Sequence, residues 1–151
     1  MKIQEFKKEL QDSLAKICRE KNWEYGNNKQ RGMSFEDWCF DLFSERYPAA
    51  ENDPATAILR GDDAQLDIIF ESKETEEIYI LQCKNPKIAA QDPIPEDEVI
   101  SFFSEFKLFK DRAYLDSRKA KNSRIQDLAS EFPYWLKQGY LIHFKVRRAR
   151  I

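Results

Sequence analysis

Apolar positions recur at helical spacing from the start of the chain. Phe6, Leu10, Leu14 and Ile17 share one face, so roughly the first twenty residues are expected to form a helix. The polar stretch 22–31 interrupts it, with Gly26-Asn27-Asn28 as turn chemistry. A second helix is expected from Ser34, read as its N-cap with Asp37 as a capping-box-like partner. Phe35, Trp38, Cys39, Leu42 and Phe43 form its apolar face. Tyr47-Pro48 ends it, because a residue before proline is pushed out of the α region.

Beyond Pro54 the period shortens. Residues 56–60 read as a short strand, Gly61-Asp62-Asp63 as a turn, and residues 66–70 as a second strand. A charged loop at 73–77 leads into a third strand at 78–84, closed by Asn85-Pro86. Pro95 suits the first turn of a helix whose side carries Val99, Phe102, Phe103, Phe106 and Phe109. A polar segment at 116–123 precedes a further helix with Ile125, Leu128, Ala129 and Phe132 on one face, kinked or ended by Pro133. After Gly139, the residues Tyr140, Ile142, Phe144 and Val146 alternate as a last strand. This order predicts an α/β fold: a mixed central sheet flanked by helices, with an extra helix at the N-terminus.

Composition narrows the class. The 151 residues fit one domain, with 1–31 as N-terminal helix and linker and 32–151 as core. Four glycines leave no glycine-rich phosphate loop, and eleven phenylalanines point to an aromatic core. The net charge of −2 excludes binding of nucleic acid by bulk attraction, so such contact needs a local basic patch or a metal. Two patches qualify: Lys145, Arg147, Arg148 and Arg150, and Arg118, Lys119, Lys121 and Arg124. Cys18, Cys39 and Cys83 are odd in number and widely spaced, which points away from a disulfide framework or zinc site and toward a reducing, cytoplasmic setting. The amphipathic N-terminus does not read as a signal peptide, and no apolar run is long enough to span a bilayer.

Chemistry concentrates around the third strand. Period-two alternation puts Ile78, Ile80, Gln82 and Lys84 on one face and Tyr79, Leu81 and Cys83 on the other. A lysine ending such a buried strand needs an anionic partner. Asp67, set inside the apolar run of the second strand, needs a cation. If the two strands form a hairpin, Asp67 lies across from Gln82 and Lys84. The Asp67 and Gln82 oxygens are hard donors of the kind Mg²⁺ takes. Lys84 is suited to orienting an attacking water or stabilising charge on a phosphate.

An aspartate at the start of one strand followed by a D/E/Q-x-K on the next resembles the PD-(D/E)xK nucleases. Here the stretches are Gln65-Leu66-Asp67-Ile68-Ile69-Phe70 and Ile78-Tyr79-Ile80-Leu81-Gln82-Cys83-Lys84. Glutamine in place of the acid is similar to the Mrr-type restriction endonuclease branch, which also tends to carry a helix glutamate. Phe35-Glu36-Asp37-Trp38 looks similar to that helix. The resemblance spans roughly residues 34–109 plus the closing strand. It implies a restriction-endonuclease-like αβββαβ core and a Mg²⁺- or Mn²⁺-dependent endonuclease acting on DNA. It also implies catalytic Asp67, Gln82, Lys84 and Glu36, with Asp67, Gln82 and Glu36 as metal ligands. No proline precedes Asp67, and the approach reads Gly61-Asp62-Asp63-Ala64, so Asp62 or Asp63 stays open as the acid that matters. A looser likeness to the nuclease region of AIPR-type abortive-infection proteins implies phage defence. It leaves open that C-terminal domains follow and that the chain pairs as a homodimer.

Plainer readings stand beside these. Asp67 could cap a turn, Gln82 and Lys84 could mark a strand emerging into solvent, and Glu36 could serve the helix dipole. Asp37 and Asp41 read as a solvated pair, Cys83 as a small core residue, His143 as structural or exposed, and the Phe102–Phe109 stripe as packing. Three functions compete: a metal-dependent nuclease, an inactive nuclease-fold binding or scaffold domain, and a junction resolvase or repair nuclease on the same fold.

Overall fold

The structure is a computed structural model and describes residues 2–46, 53, 57–59, 66–84, 96–119 and 123–148. Helix α1 spans Ile3–Lys21, opened by the Lys2 amide donating to Glu5 Oε2 at 3.0 Å and closed by Asn22 in the left-handed region at φ 58°. Of its expected face Leu10 and Leu14 are buried and Phe6 and Ile17 half-buried, while Cys18, one residue on, lies in the interior.

Helix α2 spans Asn28–Arg46, so its cap lies seven residues, about two turns, before the expected Ser34. The reason is the cap. Asn27 accepts the Gln30 amide through Oδ1 at 3.1 Å, and its carbonyl takes the Arg31 amide at 2.9 Å, which is what an N-cap does. Ser34 is therefore a buried interior residue whose hydroxyl donates to the Arg31 carbonyl at 2.6 Å. Asp37 is buried rather than solvated, while Asp41 is exposed. Tyr47-Pro48 lies outside the described residues.

Strand β1 runs Ile68–Ser72, two residues later than expected, because Glu71 and Ser72 still pair with Ile78 and Glu77. It is antiparallel to β2, Glu77–Lys84. Strand β3, Leu141–Arg148, lies parallel to β2, giving a mixed sheet in the order β1-β2-β3. Of the strand expected at 56–60, residues 57–59 are described; they contribute one antiparallel bridge, Ile58 to Ile68, rather than a ladder.

The parallel return from β2 to β3 needs a crossover. It contains α3 (Glu96–Ser104), a 3₁₀ turn (Glu105–Phe109), α4 (Arg112–Lys119), α5 (Ser123–Leu128) and α6 (Glu131–Lys137). Three expectations change here. The helix expected to carry Val99 through Phe109 ends at Ser104 and gives way to the 3₁₀ turn, and Phe103 is exposed. Residues 116–119 are helical, because buried Leu115 anchors α4 and Asp116 pairs with Arg112 at 3.4 Å and Lys119 at 3.2 Å. The expected single late helix is two, and Pro133 sits in the first turn of α6, where its missing amide has no intrahelical role.

The sheet separates two cores. Helices α1 and α2 cover one face, where Phe70 stacks between Phe40 at 5.2 Å and Phe43 at 5.8 Å. The crossover helices cover the other, where Phe102, Phe109, Phe132 and Trp135 pack on Ile69, Ile78, Ile80 and Phe144. Ile78 and Ile80 thus face one core, and Tyr79, Leu81 and Cys83 the other, as the period-two pattern required. Among the described residues no helix is long and apolar enough to cross a membrane.

Candidate active site

The site is built where β1 begins and β2 ends. Asp67 immediately precedes β1 and is fixed by main-chain bonds on both sides. Its amide donates to the Leu81 carbonyl at 3.0 Å, and its carbonyl accepts the Leu59 amide at 2.8 Å. The β1–β2 ladder pairs Ile68 with Leu81, so one further step sets Asp67 across from Gln82. The carboxylate then turns toward the strand end, where Oδ2 accepts the Cys83 amide at 2.7 Å. That is the short geometry of a charge-assisted bond. Asp67 is half-buried, and a carboxylate offers about four lone-pair positions, so one amide does not exhaust its capacity as a ligand.

Gln82 is buried at 4% exposure, and its place in the strand is shared with Ile78 and Ile80. Lys84 is the last residue of β2, in register with Arg148 of β3. The Lys84 side chain lies outside the described residues, as do Asp62 and Asp63.

Glu36 enters from α2 and is half-buried. Its neighbour across the packing is Cys83. The Cys83 thiol is pushed well above its usual range, first by a hydrogen bond with Cys39, then by burial, and further by the charges of Cys39, Asp67 and Glu36. A thiol held protonated in this way is a poor nucleophile, in line with its reading as a small core residue. The charges of Asp67 and Glu36 thus both act on Cys83, that of Glu36 the more weakly. Gln82 belongs by strand position to the opposite face from α2. The structure sets Asp67 across from Gln82 along the ladder, while Glu36 is linked to this end only through its weak electrostatic effect on Cys83.

Two features escaped the sequence reading. One is the Cys39–Cys83 pair, for which the signal was present: Glu36 and Cys39 are three apart on α2, so a helix face that packs on Cys83 also presents Glu36. The other is the Cys83 amide as partner of Asp67, which leaves no trace in side-chain pattern. Asp37 and Asp41 do form a like-charged pair on α2. The Asp41 carboxyl is pushed up by desolvation first and by the charges of Asp37 and Glu45 after it.

Among the described residues, no group of three or more His, Cys, Asp or Glu side chains is arranged to hold a metal ion. The oxygen-bearing side chains named at this end of the sheet are Asp67, Glu36 and Gln82, with Gln82 on the opposite sheet face from α2.

Other polar clusters lie elsewhere. The Trp135 indole donates to Glu71 Oε2 at 2.9 Å, on the wall of a cavity of about 190 Å³ that Asp53 and Glu131 also line. His143 stacks on Tyr79 at 4.6 Å with its Nε2 3.7 Å from Glu77 Oε1, a structural position. In comparison with known proteins, the chain matches no family model, no curated protein and no solved structure.

Proposed function

We propose that this chain is a metal-dependent nuclease that hydrolyses phosphodiester bonds, with DNA as its first candidate substrate. One observation carries the reading: the Asp67 carboxylate is held by the Cys83 amide at the end of β2, beside Gln82 and next to the strand terminus that Lys84 occupies. The chain order supports it. A helix, an antiparallel strand pair, crossover helices and a parallel closing strand form a three-stranded mixed α/β sheet, and an αβββαβ core would need the segment bridged at Ile58 to serve as its first strand.

Asp67 is the anchoring ligand, completed by Gln82 along the ladder or by Glu36 from the Cys83 side. A bound Mg²⁺ or Mn²⁺ would polarise the phosphate and lower the pKa of an attacking water. Lys84 orients that water or stabilises charge on the phosphate oxygens. Glu36 of α2, the helix glutamate of the motif, would accept a proton or hold a water beside it. The Mrr-type and phage-defence assignments belong to the same proposal, as does the alternative of a junction resolvase or repair nuclease.

The test is nicking of supercoiled plasmid with Mg²⁺ or Mn²⁺ by the wild type, Asp67→Asn and Lys84→Ala, alongside calorimetric titration with Mn²⁺. Wild-type cleavage that both variants lose, with Mn²⁺ binding that Asp67→Asn weakens, supports the reading. A second reading, an inactive nuclease-fold scaffold, is favoured by the lack of a three-ligand acidic group among the described residues. It takes over if no DNA or RNA offered with either metal is cut.

A further inference from the structure

β3 is the last strand in the order β1-β2-β3, and among the described residues no further strand pairs with it. Its eight residues run in unbroken register along Glu77–Lys84 of β2. The outer side is therefore an uninterrupted strand edge, with no proline and no bulge to blunt it. Lys145 sits midway along it, but its ammonium lies 5.9 Å from the centre of the Tyr79 ring, back across β2 rather than out past the edge.

The side chains show where the sheet stops. Ile78 and Ile80 of β2 are fully buried, whereas their neighbours in register, Ile142 and Phe144, are half-buried. Phe144 stays so although Phe102, Phe106 and Phe109 all pack on it. Exposed large apolar side chains gather at the same edge. Leu141 opens β3, Tyr134 and Leu136 lie on α6 just before it, and Ile100 and Phe103 of α3 are 59% and 46% exposed. α3 is tied to β3 by Phe102 and Phe103, whose ring centres lie 5.6 Å and 6.3 Å from that of Phe144. Leu42 of α2 stands apart, an isolated exposed apolar residue of the kind any protein surface carries.

We propose that β3 pairs antiparallel with β3 of a second copy of this chain, joining the two sheets into one. The occupant follows from symmetry. A twofold axis normal to the sheet keeps each face on its own side, so even-numbered residues of one copy stand opposite even-numbered residues of the other. The apolar row Ile142, Phe144 and Val146 is then complementary to itself in one register, with Phe144 across from its own counterpart and Ile142 across from Val146. The same axis brings the two α3 helices side by side on the crossover face, where Ile100 and Phe103 of each cover the other's. One register thus serves strand and helix together, which an unrelated strand has no reason to do.

The strip available is about 27 Å long for a strand of this length and about 20 Å deep through sheet and helix. That is on the order of 500 Å² per copy, or about 1,000 Å² in all, where specific interfaces begin. The dimer is accordingly expected to be weak and to come apart on dilution. The inference stands apart from the nuclease reading, and neither needs the other.

The experiment is sedimentation equilibrium of the full chain over a dilution series, with amide hydrogen exchange read by mass spectrometry at both ends of that series. Wild type is expected to pass from dimer to monomer. Peptides covering β3 should exchange more slowly in the concentrated sample, while those covering β1 keep one rate. Ile100→Glu/Phe103→Glu places like charges across the axis on side chains that the fold leaves exposed, and should weaken the dimer roughly tenfold or more. Leu42→Glu should leave it unchanged. Melting curves accompany each variant; if the α3 variant does not fold, the exchange comparison on wild type decides alone.

A monomer at every concentration overturns the inference. So does a dimer whose β3 exchange is independent of concentration, a folded α3 variant that dimerises as wild type does, or a Leu42→Glu variant weakened as much. Assembly that continues past two copies overturns it as well, because a β3–β3 pair closes on itself.

Discussion

At the turn end of β2 the polar groups satisfy one another. Thr75 donates its hydroxyl to Ser72 Oγ at 2.7 Å and also lies 3.2 Å from Glu77 Oε2. The Tyr79 hydroxyl donates to the same Glu77 oxygen, and His143 stacks on the Tyr79 ring. At the other end of the same strand the anchoring bond runs from a side chain to the main chain, Asp67 to the Cys83 amide. Around it, Glu36 and Asp67 both act on the Cys83 thiol, and Lys84 stands in backbone register with Arg148. A side-chain network that closes on itself specifies a turn. At the strand end the carboxylate is instead held by the main chain, which fixes its position without drawing it into such a ring. The lesson is that polarity alone does not distinguish the two ends; what each polar group is tied to, side chain or main chain, does.

The largest expected effect that separates the two ends is Lys84→Ala. If the site end is catalytic, nicking falls by roughly 10²-fold or more, as when a positioned acid–base group is lost. Stability falls by only about 1 kcal/mol, typical of a single substitution. A paired measurement of nicking rate and melting temperature reads both. A mutant that cuts like wild type erases the distinction between the ends.

Trp135→Phe probes the turn side. It removes the indole donor from Glu71 on β1 and should cost about 1–3 kcal/mol in urea unfolding, the penalty for stranding a partly buried acceptor. Nicking per folded molecule should stay at the wild-type rate. A drop in nicking without loss of stability would mean that the two ends communicate.

How much of this was legible in the sequence depends on the kind of signal. β2 and β3 were readable because Ile78, Ile80, Ile142 and Phe144 alternate, and alternation survives folding unchanged. The start of α2 was not, because Asn27 sits among other polar residues and nothing local distinguishes a cap from a turn. Helix α4 was missed because one apolar anchor, Leu115, and two ion pairs hold it, with no stripe to see. At the site, Asp67 stood out as an acid inside an apolar run, and the strand order needed to place it opposite Gln82 followed from the hairpin. The side from which Glu36 approaches was not readable, since it depends on which face of the sheet α2 covers. That is a tertiary choice, made by Phe40 and Phe43 closing on Phe70.

Asp67 itself sharpens the comparison, because it has two jobs that substitution can separate. Asparagine keeps an acceptor for the Cys83 amide, whereas alanine leaves that amide without it. Asp67→Ala should therefore be less stable than Asp67→Asn by about 1 kcal/mol, the typical net worth of one hydrogen bond. Both should lose Mn²⁺ affinity in calorimetry, since neither supplies a carboxylate. If the two variants melt together, the amide bond contributes nothing, and the anchoring role given to it is wrong.

The smallest effect belongs to Glu77, and it carries a sign. Its carboxyl lies below the ordinary value of 4.5, chiefly because Tyr79 donates to it, with Thr75 and the nearby His143 adding to the effect against a desolvation penalty. A depressed carboxylate binds its proton less readily in the folded chain than in the unfolded one. Its stabilisation is complete above the unfolded pKa and is lost as pH falls through the lower, folded one. Glu77→Gln should therefore melt lower than wild type at neutral pH, by about a degree or two for a chain of this size. The gap should close in acid, once the wild-type carboxyl is protonated, and nicking at neutral pH should be untouched. Because Glu77 is part of a network that ends on itself, the effect should also be insensitive to added Mg²⁺. A melting-temperature gap that persists unchanged below the carboxylate range would show that Glu77 acts through packing, and that the turn end owes nothing to its charge.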